Sequence, residues 1–335
     1  MLHALPFETI KRTLLIKKEA STNPAWGGDP NQRSPDTMIE YGVVNIDKPR
    51  GPTSHQVSFF VQQILKLEKS GHSGTLDPHV TGVLPVALGR GTKVVEALLP
   101  AGKEYICIMH VHKPTDEKTL KGVFQEFTGS IKQLPPIRSS VKRQERFRTV
   151  YYLDILEIDE NQQEVLFRVG CQAGTYIRKL CHDIGQKLGC GAHMTELRRT
   201  KAGPFREDTL VTLQDLADAY WLYKEKGDAS LLKKAIQSLE TAVRHLPKIW
   251  VLDTCVGTLC HGIDVKVPGI SKVESDIAVE DLVAVMTLKN ELIALGNAKM
   301  TSKDMVENDK GLAVKIFKVF MEPGLYPKST TTSQT

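Results

Sequence analysis

The chain changes texture at Pro247, and that break most constrains how it can fold. Up to Pro247, segments with helical periodicity alternate with strand-like ones. After it come only short β-like segments: 249–256, 263–267, 282–288, 291–298 and 312–321, with Lys289-Asn290 placed to turn a hairpin. A mixed α/β unit is therefore expected to precede a small β unit. The 335-residue length suits two domains at roughly 150 residues each. The expected boundaries are an N-terminal arm over 1–38 laid on the C-terminal domain, a main domain over 39–247, a β domain over 248–323 and a polar tail over 324–335. With 41% hydrophobic and 25% charged residues, the chain is neither disordered nor a disulfide-stapled miniprotein. Its apolar runs, such as Val83–Leu88, fall far short of the ~20 residues that span a bilayer. The start, MLHALPFETIKR, sets Glu8 and Lys11 where a signal peptide needs an apolar run.

Within 39–247 the local signals are specific. Gly42–Ile46 reads as a strand running into the turn Lys48-Pro49-Arg50-Gly51-Pro52. Thr53 and Gln56 form a capping box, and Val57, Phe60, Val61, Ile64 and Leu65 fall on one helical face. Tyr105, Cys107, Met109 and Val111 alternate with Ile106, Ile108 and His110, as in a strand inside a sheet. Val165, Phe167 and Val169 mark another strand. Thr175 is a candidate N-cap for a helix with the stripe Ile177, Leu180, Cys181, Ile184 and Leu188. Further helices are expected over 213–223 and 231–246. In the arm, Phe7, Ile10, Leu14 and Leu15 are available for packing.

Charge gives a weaker signal. Forty-four basic against 39 acidic residues leave +5. The stretch 138–148 carries Arg138, Lys142, Arg143, Arg146 and Arg148 against Glu145, and 195–206 carries Arg198, Arg199, Lys201 and Arg206 against Glu196. Such stripes either neutralise phosphates or form a solvated face. The six cysteines include no CxxC pair, and several lie in apolar runs as small hydrophobes; this argues for a reducing compartment and against a zinc site.

The loop Gly71-His72-Ser73-Gly74-Thr75-Leu76-Asp77-Pro78 carries the most information. By spacing alone, Asp77 is a turn residue. Yet GHSGTLDPHVTGVLPVALGRGTK, with NIDKPRGPTSHQV, KEY at 103–105, AGTYIRKL at 173–180 and ELRRTKAG at 196–203, resembles the TruB-type pseudouridine synthases. AGKEY, LPPIRSSVKRQERFRTVY and the β segment, which is similar to a PUA domain, point to the archaeal and eukaryotic box H/ACA branch.

The resemblance implies an α+β catalytic domain on a mixed, mostly antiparallel sheet, followed by a PUA-type β-barrel. It implies isomerisation of uridine to pseudouridine, RNA-guided and chiefly in ribosomal RNA, with the tRNA T-loop uridine a second target. Positive charge develops on the sugar as the glycosidic bond breaks, and a carboxylate on that face stabilises it or bonds to it. The family gives that role to the match of Asp77; nucleophilic and glycal routes both stay open. Arg178 matches the arginine that pairs with this carboxylate and aims it. Tyr105 matches the residue that stacks on uracil. Tyr176 matches a second aromatic, the candidate to help remove the C5 proton. Leu197 would wall the pocket, and Lys48 and Pro49 would brace it. His72 matches a residue that takes part in flipping the base out of its stack. Lys142, Arg143 and Arg146 fall where relatives carry a thumb loop over RNA.

No organic cofactor and no metal are implied. Implied partners are a box H/ACA guide RNA, substrate RNA, a small zinc-ribbon protein, a Gar-type protein and a kink-turn-binding ribosomal-type protein; no membrane is involved. The absence of a Lys-rich tail suits an archaeal, cytoplasmic protein. A standalone tRNA enzyme, a non-catalytic RNA scaffold and, more distantly, a glycoside hydrolase share some of these features.

Overall fold

Alternation along Lys103–Val111 sends Tyr105, Cys107, Met109 and Val111 to one side, where all four are buried. They meet Leu120, Val123 and Phe124 of the helix Glu117–Glu126, and Ile177, Leu180, Cys181 and Ile184 of the helix Ile177–Lys187. Leu180 and Ile184 have no exposed surface, and burying each stabilises the fold by about 2 kcal/mol. Cys107 and Cys181 meet in this core with sulfurs 3.7 Å apart.

This computed structural model describes residues 4–135 and 144–327. Its larger sheet has ten strands. The main path runs Ile236–Ser238, Gly42–Lys48, Thr81–Leu88, Ala192–Ala202, Lys103–Val111, Glu164–Cys171, Arg146–Ile158, Gly129–Gln133. Ser70–His72 pairs with Thr81–Leu88, and Phe205–Arg206 with Ala192–Ala202. All pairs are antiparallel except one: Thr81 and Gly82 run parallel to Arg198 and Arg199. No helix among the described residues is long and apolar enough to cross a membrane.

Local signals hold where their partners are near. The capping box of Thr53 and Gln56 opens the helix Ser54–Ile64. Val57, Val61 and Leu65 of its expected stripe are buried, but Phe60 is 38% exposed and the buried Ser54 joins the inner side instead. The expected helix 231–246 stops at Ala235. Ile236–Ser238 instead becomes the sheet's edge strand, pairing with Val44, Val43 and Gly42. A side chain at Gly42 would collide with Ile236, so glycine permits this approach. Thr175 does not cap the next helix. Its hydroxyl donates to the Gln172 carbonyl at 2.7 Å, and Tyr176 takes the N-cap position.

The second sheet has seven strands, in the order Leu14–Ile16, Ile270–Glu274, Lys248–Val251, Leu282–Met286, Leu292–Ala298, Leu312–Val319, Val265–Lys266. The expected strand 249–256 ends at Val251, and a helix, Asp253–Leu259, follows. Buried Asp253 accepts from the Thr22 hydroxyl and Asn23 N–H of the N-terminal segment, both at 2.9 Å. That segment lies on this sheet through Leu14–Ile16. Leu15 packs inward, whereas Ile10 and Leu14 are exposed. The two sheets share a core in which Val43, Val83, Leu98 and Phe205 meet Leu246, Trp250, Met286 and Phe320.

His245 lies in this joint, 8% exposed, its Nε2 donating to the Ala97 carbonyl at 3.0 Å. Burial pushes its pKa down to about 4. Below pH 6.5 the unfolded chain takes up a proton here, while the folded chain refuses it until about pH 4. Stability from this group is therefore complete above pH 6.5 and lost as pH falls from 6.5 toward 4, by about 2–3 kcal/mol at pH 4.5. Urea unfolding at pH 7 and 4.5 should show a drop smaller by that amount in His245→Gln. An equal drop in both proteins would remove this account.

Candidate active site

The site is built on one row across the larger sheet. Lys48 pairs with Gly82, Gly82 with Arg199 and Arg199 with Tyr105, in register on four successive strands. The row crosses the single parallel junction. Gly82 has φ +100°, and a Cβ there would overlap the Arg199 carbonyl, so the junction requires glycine.

Lys48 has no exposed surface. Its ammonium donates to the carbonyls of Pro49, Pro78 and Val80 at 3.0, 3.1 and 2.9 Å. Burial lowers its pKa, and the charge of Asp77 opposes that shift. Two of the three carbonyls belong to the loop that carries Asp77. Pro49 is exposed, with its carbonyl in the same cage.

The loop is held from several other sides. The Leu76 N–H donates to Ser54 Oγ at 2.8 Å, and that hydroxyl donates to the Leu76 carbonyl at 3.1 Å. The Gly51 N–H donates to the Pro78 carbonyl, and the Ser73 N–H to that of Pro85. Asp77 stands at the top with its side chain 51% exposed, ion-paired through Oδ2 to Arg178 Nη2. Arg178 lies in the first turn of Ile177–Lys187, where the helix dipole disfavours a cation; the carboxylate opposite offsets this. The start of that helix is fixed by buried Gln133, which accepts from the Tyr176 N–H at 3.0 Å and donates to the Tyr176 carbonyl at 3.1 Å.

Tyr105 is 9% exposed. Burial holds its phenol above the ordinary value, while Arg199 pulls the other way. Leu197, two residues before Arg199, is half-buried against the same core. Tyr176 is half-buried and lines a narrow cleft of about 60 Å³ with Gln133, Arg146 and Arg148. His72 is not a free loop residue: it belongs to the strand Ser70–His72, and its Nδ1 is buried without a hydrogen-bond partner. Burial, then the charges of Arg199 and His55, push its imidazole down. Lys142 and Arg143 lie outside the described residues.

The basic stretch 195–206 turns mostly inward, onto acidic and carbonyl partners. Arg198 holds Asp47 with two bonds of 2.9 and 3.0 Å and Glu207 at 2.6 Å. Lys201 is buried against Glu8 and Glu104, and Arg206 reaches Glu8 at 3.8 Å. Arg199 is 1% exposed. This arginine is the site residue that sequence reasoning missed. Strand alternation could have found it, since a residue two beyond Leu197 shares its face.

A carboxylate–guanidinium pair raised over a mixed sheet, beside a buried tyrosine, defines a class, and comparison with known proteins agrees. The chain belongs to the TruB family of pseudouridine synthases, enzymes that isomerise uridine in RNA. The TruB-family pseudouridylate synthase N-terminal domain matches 62–177 and the tRNA pseudouridylate synthase B C-terminal domain 178–244. A PUA domain matches 247–320 and a DKCLD domain 4–58.

More particularly, the chain is 56% identical over 321 residues to a protein of Pyrococcus abyssi named probable tRNA pseudouridine synthase B, covering 95% of this chain and 96% of that one. A relative of the same name from Methanosarcina barkeri is 53% identical over 330 residues, 98% of this chain and 97% of its own length. Among solved structures, a chain of a Cbf5-Nop10-Gar1 complex superposes with TM-score 0.93 at 56% identity, covering 97% of this chain and 98% of that one. A chain of an H/ACA RNP bound to substrate RNA containing 2′-deoxyuridine gives 0.91 at 53% identity, covering 98% and 100%.

Proposed function

We propose that this chain is the catalytic subunit of a box H/ACA ribonucleoprotein and converts guide-selected uridines of ribosomal RNA to pseudouridine. The observation that carries the reading is the half-exposed Asp77–Arg178 pair, standing where a flipped nucleotide can reach it. In this reading Asp77 acts on C1′ of the flipped uridine and Arg178 orients it. Tyr105 stacks on the uracil, Leu197 walls the pocket, and Tyr176 faces C5. Lys48 and Pro49 hold the Asp77 loop, and His72 contributes to base flipping. Lys142, Arg143 and Arg146 meet RNA phosphates, and the domain over 248–323 holds the guide, with the arm over 1–38 laid against it.

In this reading the particle has three further proteins: a small zinc-ribbon protein, a Gar-type protein and a kink-turn-binding protein. The high identity to a chain solved in a Cbf5-Nop10-Gar1 complex supports the first two, and that to a chain of an H/ACA RNP bound to substrate RNA supports the particle. Sequence choice then falls to guide pairing. A second reading, guide-free modification of the tRNA T-loop, is favoured by the names of the Pyrococcus and Methanosarcina relatives.

A reconstituted particle separates the two readings. Conversion of a short target RNA should require both the matched guide and the partner proteins, and mismatching the guide should abolish it. Equal conversion of a T-arm RNA by the chain alone would replace guided modification with the tRNA reading.

A further inference from the structure

Three cations lie buried in the larger sheet, and among the described residues no carboxylate pairs with any of them. Lys48 is held by three carbonyls, as described. Lys103 donates to the carbonyls of Leu98, Leu99 and Ala101 at 3.0, 2.8 and 2.6 Å. Arg199 donates through Nε to the Val83 carbonyl at 2.7 Å and through Nη2 to the Gly74 carbonyl at 3.3 Å. Tyr105 is its register partner on the neighbouring strand, and the two side chains interact electrostatically. A buried cation is costly unless paired. Arg199 is the one of the three that joins the two parts of the site, since Gly74 lies three residues before Asp77 and Tyr105 faces it across the sheet.

We infer that Arg199 is a positioning residue for the isomerisation: it ties Tyr105 to the Asp77 loop, and its uncompensated charge stabilises the base as it departs. The inference rests on the reading that the uridine enters at Asp77. When the C1′–N1 bond breaks, its electron pair stays with the uracil, which becomes an anion spread over N1, O2 and O4. The ring then turns, C5 returns an electron pair to C1′, and the C5 proton leaves as N1 takes one up, so the reaction is neutral overall. The anion exists only between these steps. A fixed cation below the base therefore favours the transition state over bound uridine, because it need not reorganise as charge develops.

The test uses the assembled particle in single turnover, with target RNAs carrying either uridine or 4-thiouridine at the modified position. Sulfur accepts the charge of the departing base more readily than oxygen. Arg199→Met should slow uridine conversion by about 10²-fold, with target-RNA affinity within about twofold. With 4-thiouridine the defect should shrink by about tenfold, the change expected when the substrate itself supplies part of the missing stabilisation. If Arg199→Met does not fold, Arg199→Gln takes its place. Glutamine keeps hydrogen-bond donors toward the Val83 and Gly74 carbonyls but carries no charge, so its defect should shrink with 4-thiouridine in the same way. A defect of the same size with both substrates, or one expressed wholly in RNA affinity, would overturn the inference. Asp77→Asn run beside it separates the two claims: if that variant stays active, the reading of the Asp77 pocket falls first.

Discussion

Asp77→Asn should leave a folded protein that binds RNA like the wild type but converts uridine at least ~10³-fold more slowly. The side chain is half exposed and anchors no buried group, so asparagine removes charge and nucleophilicity with little cost to the fold. The loop's own bonds run through Leu76, Pro78 and Val80, and they persist. Nucleoside chromatography of digested target RNA gives the rate, and a gel-shift titration gives the affinity. Activity within tenfold of wild type would deny Asp77 its proposed role. A parallel fall in affinity would make it an RNA contact.

Lys48→Met should produce the other large effect, by a different route. Methionine fills the stem of the cavity but leaves the Pro49 and Val80 carbonyls without a donor, and the Pro78 carbonyl with only the Gly51 N–H. Unsatisfied buried groups of this kind make a loss of about 3 kcal/mol the expectation, moderated because an unpaired buried charge is removed as well. The loop holding Asp77 then loses its tether to the end of Gly42–Lys48. A displacement near 1 Å at a reacting group costs about 10²-fold in rate, and that is the expected drop in turnover. Urea unfolding and single-turnover conversion measure the two effects. Full activity at reduced stability would make Lys48 a fold residue with no bearing on the carboxylate.

The same lysine shows where sequence reasoning stops. The Thr53–Gln56 capping box, the alternation through Lys103–Val111 and the stripe of Ile177–Lys187 were legible because each needs only neighbours along the chain. The motifs around Asp77, Tyr105 and Arg178 were legible through family resemblance, although spacing alone makes Asp77 a turn residue. What escaped depends on distant partners. Lys48 was legible as a brace only through the resemblance, and Arg199 read as part of a phosphate-binding or solvated stripe, because their carbonyl partners come together only in the folded sheet. Lys201 is neutralised by Glu8, nearly two hundred positions away. Ile236–Ser238 has helical neighbours, yet Gly42–Val44 captures it as an edge strand. In each case a tertiary contact overrides a local preference.

The cross-sheet row from Lys48 to Tyr105 has a wider consequence. Adjacent strands are spaced about 4.8 Å apart, so its three intervals amount to a gauge of about 14 Å cut into the hydrogen-bond lattice. Nothing in that gauge depends on the length or composition of the surface loops. Insertions there can reshape the RNA that is admitted while every nucleotide is still measured against the same graduations. A lineage could thus exchange a folded RNA arm for a guide-paired strand by rebuilding only its periphery, with the chemistry carried over unaltered.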